Sequence, residues 1–306
     1  MNRFPRLNDS VRLQMLEHPQ GVVDIVLDTD TYTEVDDQFA LVYALKSKER
    51  LNVKAIYAAP FSMNERASDP GVGMELSYNE ILRFLRMLNI PHENLVFKGS
   101  KTYLPDLDHP VSSPAVLDLI EKAKGYSSER PLYVVGIGAS TNIASALLLC
   151  PDLVNRIVVV WLGGNTLDDN NNNAYNVYQD ILAAQVLFNS GVPLVHVPCY
   201  SVTSHLLTSV PEMEACIGGK NEASDALIEL VREYGSNRLG WAKVIWDIGA
   251  IAYLLNEKWA PAPIIHSPIL TDKLQWSFDR SRHLMRNVAS VDRNAIFIDL
   301  FDKLQR

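Results

Sequence analysis

The sequence predicts an α/β protein whose mostly parallel central sheet is flanked by helices on both faces. Short apolar runs that suit buried strands alternate with helix-like segments as far as about residue 198. This alternation is typical of parallel strands joined by crossover helices, which cover both faces of the sheet. The strand-like runs are 22–27, 51–59, 94–98, 131–138, 156–164 and 192–198. The helix-like segments are 36–47, 73–88, 114–124, 140–149 and 180–191.

The C-terminal third follows a weaker pattern. We predict helices near 221–234 and 244–256, and short strands at 262–266 and 294–300. No linker rich in Pro, Gly or Ser separates this part from the rest of the chain. We therefore expect a single domain over residues 1–306, with a helical C-terminal elaboration.

Composition excludes several classes of protein. The chain has 306 residues, of which 47% are hydrophobic, so a sizeable core is expected. Its formal net charge of −8 argues against a nucleic-acid partner, which would require a basic surface. The polar N-terminal stretch lacks the apolar segment of a secretory signal, and no run suits a membrane span. With three dispersed cysteines and no disulfide pattern, a cytoplasmic location is predicted.

An unusual concentration of acids lies between the first strand and the first helix. Asp28, Asp30, Glu34, Asp36 and Asp37 fall within ten residues, and their charges repel one another. In open parallel sheets, sites form beyond the carboxyl ends of the strands. We therefore expect this stretch to share one rim of the sheet with the polar loops 60–73, 136–141 and 163–176.

Two interpretations of these acids compete. Asp36 or Asp37 could cap the helix that follows, because carboxylates accept hydrogen bonds from free N–H groups at a helix N-terminus. Capping does not account for Asp28 and Asp30, which end an apolar strand. Carboxylates at both ends of one turn suit a hard cation such as calcium or magnesium. The residues alone thus favour a metal site, and capping remains open for a single aspartate.

Two family motifs resemble this stretch. The letters DTDTY (28–32) resemble the D-x-D-x-T/V strand end of haloacid dehalogenase-type phosphatases, although Tyr32 departs from that pattern. The longer stretch 28–37 resembles the D-x-D-x-x-x-D-D signature of nucleoside hydrolases, with two extra residues. Four later segments resemble that second family in order, namely 136–147, 158–165, 174–188 and 244–255. The sequence is therefore identified as a divergent member of the nucleoside hydrolase family, of the inosine/uridine-preferring type.

The resemblance implies a metal centre and a reaction. It implies a Ca²⁺ ion held by Asp30, Asp37, Asp247 and the main-chain carbonyl of Thr141. It assigns Asp36 as the general base that activates water. The implied reaction is hydrolysis of the N-glycosidic bond of a ribonucleoside or related riboside through an oxocarbenium-like transition state.

Further residues are implied around the substrate. By the resemblance, Asn176 would hydrogen-bond the sugar, Trp246 would line the substrate pocket, and Asp28 would brace the loop behind it. The expected partner is a small riboside or nucleoside, with no nucleic acid and no membrane. A homodimer or homotetramer is also expected from the family.

Three departures from the family pattern concern the substrate side of the site. Five residues, 31–35, separate Asp30 from the acidic pair, so Glu34 competes with Asp36 for the role of base. Trp246 stands where purine- and pyrimidine-processing members carry a histidine, which can donate a proton to a leaving group. Ala174 stands in place of a glutamate, and Asn171, Asn172 or Asn173 could replace its contact with the sugar.

These departures keep other functions open. A calcium-dependent binder of sugars or ribosides is one alternative, and a hydrolase of another furanoside with little nucleosidase activity is another. The loop that contains His109 could face the pocket, but an isolated histidine is more often a surface residue. Asn142 suits a structural role, and Tyr32 or Glu34 could enter the sugar pocket because the loop is longer.

Overall fold

A computed structural model describes residues 3–235 and 240–306 of the chain. Eight strands form the main sheet, and two further pairs form small antiparallel sheets. The strands are β1 Val23–Thr29, β2 Leu51–Ala58, β3 Val96–Lys98, β4 Leu132–Gly136, β5 Ile157–Leu162, β6 Leu194–Val197, β7 Leu207–Thr208, β8 Lys243–Val244, β9 Ile264–His266, β10 Ile269–Leu270, β11 Trp276–Ser277 and β12 Leu284–Asn287.

The main sheet has the order β3-β2-β1-β4-β5-β6-β12-β9. Every neighbouring pair is parallel except β12 and β9, which are antiparallel. The mostly parallel sheet predicted from sequence is therefore confirmed. Because β1 lies between β2 and β4, its carboxyl end opens near the middle of the sheet edge, where ligands bind in such folds.

Helices cover both faces of this sheet. They are α1 Asp9–Met15, α2 Asp36–Lys46, α3 Pro70–Met87, α4 Pro114–Ala123, α5 Thr141–Leu149, α6 Tyr175–Tyr178, α7 Ile181–Asn189, α8 Val210–Ile217, α9 Glu222–Tyr234, α10 Ile248–Leu255 and α11 Arg293–Leu304. Short 3₁₀ turns occur at Pro151–Asn155 and Thr203–His205. The run α8 to α11 forms the helical C-terminal elaboration.

Two hydrophobic cores result, one on each face. On β1, Ile25 and Leu27 enter the core shared with α2, α3 and α8 to α11, whereas Val26 enters the core shared with α4, α5 and α7. This division follows from the alternation of side chains along a strand. The strand is apolar at consecutive positions because both of its faces are buried.

The predicted strand at 294–300 is wrong, because these residues lie within α11. Ile296, Phe297, Leu300 and Leu304 are buried on one side of this helix, at spacings of three and four residues. The side chain of Asp292 caps the helix because it accepts a hydrogen bond from the Ala295 N–H at 3.0 Å. The short window, rich in isoleucine and phenylalanine, favoured a strand only because the capping aspartate and the apolar positions beyond it were not included.

The predicted helix at 244–256 begins later than expected. It is α10, which starts at Ile248, and the residues before it include the short strand β8. Asp247 consequently precedes the helix, at its N-cap position. Within residues 3–235 and 240–306, no helix combines the length and apolar character that crossing a membrane would require.

Helix α10 packs against α2. We predict that Ile251→Ala on α10 lowers the free energy of unfolding by about 2–5 kcal/mol, because its fully buried side chain leaves a cavity. Ile298→Ala on α11 is the matched control, since this side chain is 72% exposed. Urea denaturation measures both variants, and equal losses of stability would contradict the assigned packing.

Candidate active site

The acidic stretch forms a tight turn between β1 and α2. The Thr33 N–H donates to the Asp30 carbonyl at 2.9 Å, and its hydroxyl donates to the Asp30 carboxylate at 3.1 Å. Tyr32 has a φ of 99°, an uncommon conformation for a residue other than glycine. The turn thereby places Asp36 and Asp37 as the first two residues of α2.

A second segment brings a further carboxylate to this turn. Carboxylate oxygens of Asp36, Asp37 and Asp247 all lie within 4.8 Å of one another, and all three residues are buried. The hydroxyl of Thr29, the last residue of β1, donates to Asp37. A pocket above β1, β4 and β5 contains this cluster. Its lining residues are Asp30, Thr33, Glu34, Asp36, Asp37, Ile137, Leu162, Ala174, Tyr175, Asn176, Cys199, Tyr200, Trp246 and Asp247.

Burial and mutual repulsion disfavour the charged forms of these acids. Burial raises the pKa of Asp30 to about 7, and the nearby Asp36 adds to this effect. Burial, followed by neighbouring carboxylates, raises the pKa of Asp37 and Asp247 well above the usual range. Since the N-terminus of one helix offsets only part of such repulsion, the cluster suits a cation.

The donor set fits a divalent metal ion. Hard cations prefer several carboxylate oxygens from separate segments, and Asp30, Asp37 and Asp247 supply them around one pocket. Thr141, predicted to contribute its carbonyl, begins α5 outside the pocket lining, and its hydroxyl donates to Asp180 at 2.6 Å. Of the residues in this loop, Ile137 is the one that lines the pocket.

Asn176, for which a sugar contact was predicted, lines the pocket. Its side-chain amide donates to the carbonyls of Ile137 at 2.9 Å and Leu162 at 3.0 Å, tying α6 to the ends of β4 and β5. These two bonds fix the orientation of the amide. The side-chain oxygen of Asn176 is then the atom that could accept a hydrogen bond from a hydroxyl group of a ligand.

Trp246 forms part of an aromatic wall of the pocket. It packs edge-on against Tyr200, with ring centroids 5.3 Å apart, and Tyr200 is 53% exposed. Aromatic faces of this kind suit an apolar or aromatic group of a ligand. An indole N–H is a donor only, and it does not act as an acid catalyst in the way that an imidazole does.

Asp28 and Asn142 lie behind the pocket. Asp28 is buried outside the pocket lining, and its contact with Asn142 spans 3.5 Å. Burial raises the pKa of Asp28 well above the usual range. Asn142, in the first turn of α5, accepts hydrogen bonds of 2.8 Å from both the N–H and the hydroxyl of Ser100. Both residues therefore connect strand ends rather than line the pocket.

Several other predicted candidates are placed away from the pocket. His109 is largely exposed and contacts Asp106 at 2.9 Å. Tyr32 stacks under Arg66 at 5.1 Å, outside the lining. The oxygen of the Asn172 side chain accepts from the Asn165 N–H at 2.6 Å, so it is already used within its own loop. Asn171 and Asn173 likewise do not line the pocket.

Sequence reasoning did not identify Lys243. This residue of β8 is only 5% exposed, it pairs with Glu34, and its Nζ lies 3.9 Å from Asp36 Oδ1. Tyr32 and Glu34 were the two residues of the lengthened loop that could enter the pocket, and Glu34 is the one that lines it. The only signal for Lys243 in the sequence is its position four residues before Asp247, since nothing local indicates burial of its charge.

Most of the chain matches the profile of one protein family. A profile of the inosine-uridine preferring nucleoside hydrolase family matches residues 25–296. The chain therefore belongs to this family.

Individual relatives are more distant. The pyrimidine-specific ribonucleoside hydrolase RihA of Escherichia coli O81 (strain ED1a) is 30% identical over 193 residues. The match covers 56% of this chain and 58% of that protein. The same enzyme from Escherichia coli O1:K1 / APEC is 29% identical over 194 residues, with the same coverage. The chain thus spans less than two thirds of the length of these curated relatives.

Solved structures share the fold over nearly the whole chain. A plant nucleoside hydrolase, PpNRh1, aligns with a TM-score of 0.72 and 20% identity, covering 92% of this chain and 99% of that one. A purine-preferring ribonucleoside hydrolase from Gardnerella vaginalis aligns with a TM-score of 0.73 and 21% identity, covering 92% and 98%. At these identities the likeness shows the fold.

Proposed function

We propose that this protein hydrolyses the N-glycosidic bond of a ribonucleoside or related riboside and depends on calcium. The observation that carries the proposal is the buried cluster of Asp36, Asp37 and Asp247 at the carboxyl end of β1, in a chain of the nucleoside hydrolase family. Members of this family are generally metal-dependent. The relatives' names point to ribonucleosides, which are the substrate class proposed here.

The proposed roles are those that the resemblance to the family implies. Asp30, Asp37 and Asp247 hold the cation, and Asp36 takes a proton from the attacking water. A bound calcium ion would supply orientation and acidification of that water. The Thr141 carbonyl remains a predicted ligand, and we propose the Ile137 carbonyl as the alternative, since Ile137 lines the pocket.

The sugar would lie between the acids and α6. In this proposal, Asn176 accepts a hydrogen bond from a sugar hydroxyl. Asp28 supports the loop from behind the pocket through its contact with Asn142. As the glycosidic bond breaks, positive charge develops on the ribose ring, and the surrounding carboxylates stabilise it. Trp246 and Tyr200 offer an aromatic surface to the leaving group. The homo-oligomer and the cytoplasmic location stay predictions from sequence.

The metal is tested by composition. We predict that dialysed protein retains about one calcium ion per chain, because three buried carboxylates require a compensating cation. Asp247→Asn should abolish this retention, whereas Asp302→Asn, at an exposed carboxylate on α11, should not. Elemental analysis measures the ion, and less than about a tenth of an equivalent of any divalent metal in the wild type would refute the site.

The identity of the base is tested by two substitutions. Asp36→Asn should lower kcat by about a hundred- to ten-thousandfold, because it removes the proton acceptor, and should leave the metal content unchanged. Glu34→Gln should lower kcat less, since Glu34 is half-exposed at the pocket rim. Steady-state kinetics with elemental analysis compares the two, and the reverse order of effects would assign the base to Glu34.

The leaving group is tested by substrate choice. Because Trp246 supplies no acid, a nitrophenyl riboside, whose leaving group needs no proton, should exceed inosine in kcat/KM by at least about a hundredfold. Side-by-side kinetics at neutral pH measures the ratio. Equal values for inosine and the nitrophenyl compound would show that another group donates the proton. Failure to cleave any riboside with metal-loaded protein would favour a sugar-binding protein or a hydrolase of another furanoside.

A further inference from the structure

A buried cation, Lys243, lies against two of the carboxylates that line the pocket. Within residues 3–235 and 240–306, the salt bridges to carboxylates that line the pocket come from this side chain alone. Its partners are Glu34, in the lengthened turn, and Asp36, at the start of α2. The ring of Tyr234, at the end of α9, lies 4.9 Å from its ammonium group. Lys243 is therefore enclosed from three sides.

We propose that Lys243, held by Glu34, is a positioning residue that fixes the carboxylate of Asp36 for the proposed reaction. This inference rests on the proposed function, and it explains the two extra residues between Asp30 and Asp36. The longer turn gives Glu34 the reach to pair with Lys243. Glu34 is thereby the support of a positioning contact rather than a second base.

Geometry supports this role. The ammonium group lies 3.9 Å from Asp36 Oδ1, and Oδ2 is the oxygen that we assign to accept a proton from water. A lysine alone is a flexible point charge on a long stem. Pairing with Glu34 and enclosure by Tyr234 limit its movement, so the contact with Asp36 can be held at one place.

Electrostatics point in the same direction. The ammonium group of Lys243 faces Asp36 at 3.9 Å, whereas the carboxylates of Asp37 and Asp247 repel Asp36 from nearby. The positive charge thus favours the ionised carboxylate, which is the form that a base requires. It also offsets part of the repulsion that Asp36 receives from the other acids.

The chain contains a matched comparison at Lys303. Its side chain is also 5% exposed, contacts Glu49 at 2.9 Å and Asp299 at 2.7 Å, and lies 5.2 Å from the ring of Tyr43. This second buried lysine has the same type of surroundings but is remote from the pocket lining. Substitution of Lys303 therefore measures the loss of stability that follows from removing a buried, paired lysine away from the pocket.

The test compares Lys243→Met, Lys243→Arg and Lys303→Met with a nitrophenyl riboside. We expect Lys243→Met to lower kcat by about 10- to 100-fold with a smaller change in KM, because the reacting carboxylate loses its fixed geometry. Lys243→Arg should restore much of kcat, and metal content should remain unchanged in both. Lys303→Met should lower Tm by a similar amount with wild-type kcat. A kcat for Lys243→Met equal to that of Lys303→Met would overturn the proposal.

Two further measurements keep the result decisive. Glu34→Gln, at a half-exposed position that does not endanger folding, should lower kcat several-fold, and wild-type kcat in this variant would overturn the supporting role of Glu34. If the wild-type protein cleaves no riboside, the proposed function fails, and a crystal structure of Lys243→Met decides the positioning claim. The claim requires the Asp36 carboxylate to leave its wild-type position, and an unmoved carboxylate would refute it.

Discussion

Repulsion among buried carboxylates is the constraint on which the rest of this structure depends. Asp30, Asp36, Asp37 and Asp247 line one pocket and are each no more than 4% exposed. Uncompensated charges in such surroundings cost several kcal/mol each, by an order-of-magnitude estimate. The fold therefore holds these groups together against their repulsion, and the proposed cation would complete the balance. The N-terminus of α2 and the ammonium group of Lys243 supply only part of that compensation.

The architecture provides the necessary rigidity. The central position of β1 in a parallel sheet fixes Asp30 at its carboxyl end, and α2 begins only six residues later. The packing of α10 on α2 brings Asp247 from a distant part of the sequence to the same place. Asn176 and Asn142 then tie neighbouring strand ends together by side-chain hydrogen bonds. A reaction that needs fixed carboxylates is served by elements that are themselves buried on both faces.

The sequence predicted the parallel sheet and the acidic rim because both have strong local signals. Alternating apolar strands and helices indicate the topology, and clustered aspartates at a strand end indicate where a site forms. The error at 294–300 arose because a short apolar run has no clear period. The pairing of Lys243 with Glu34 was not predictable, since it joins residues more than 200 positions apart across the pocket. The placement of Ile137 rather than Thr141 on the lining likewise depends on the path of the main chain.

The central claim is that the carboxylates bind one metal ion and that this ion also coordinates the sugar. The most direct measurement is a crystal structure of calcium-loaded protein soaked with ribose, with the ion identified by its anomalous signal. The account predicts a single ion within about 2.3–2.6 Å of oxygens from Asp30, Asp37 and Asp247, with ribose hydroxyls completing its shell. A pocket without an ion at saturating calcium would contradict the account. So would an ion bound elsewhere, out of contact with the four carboxylates that line the pocket.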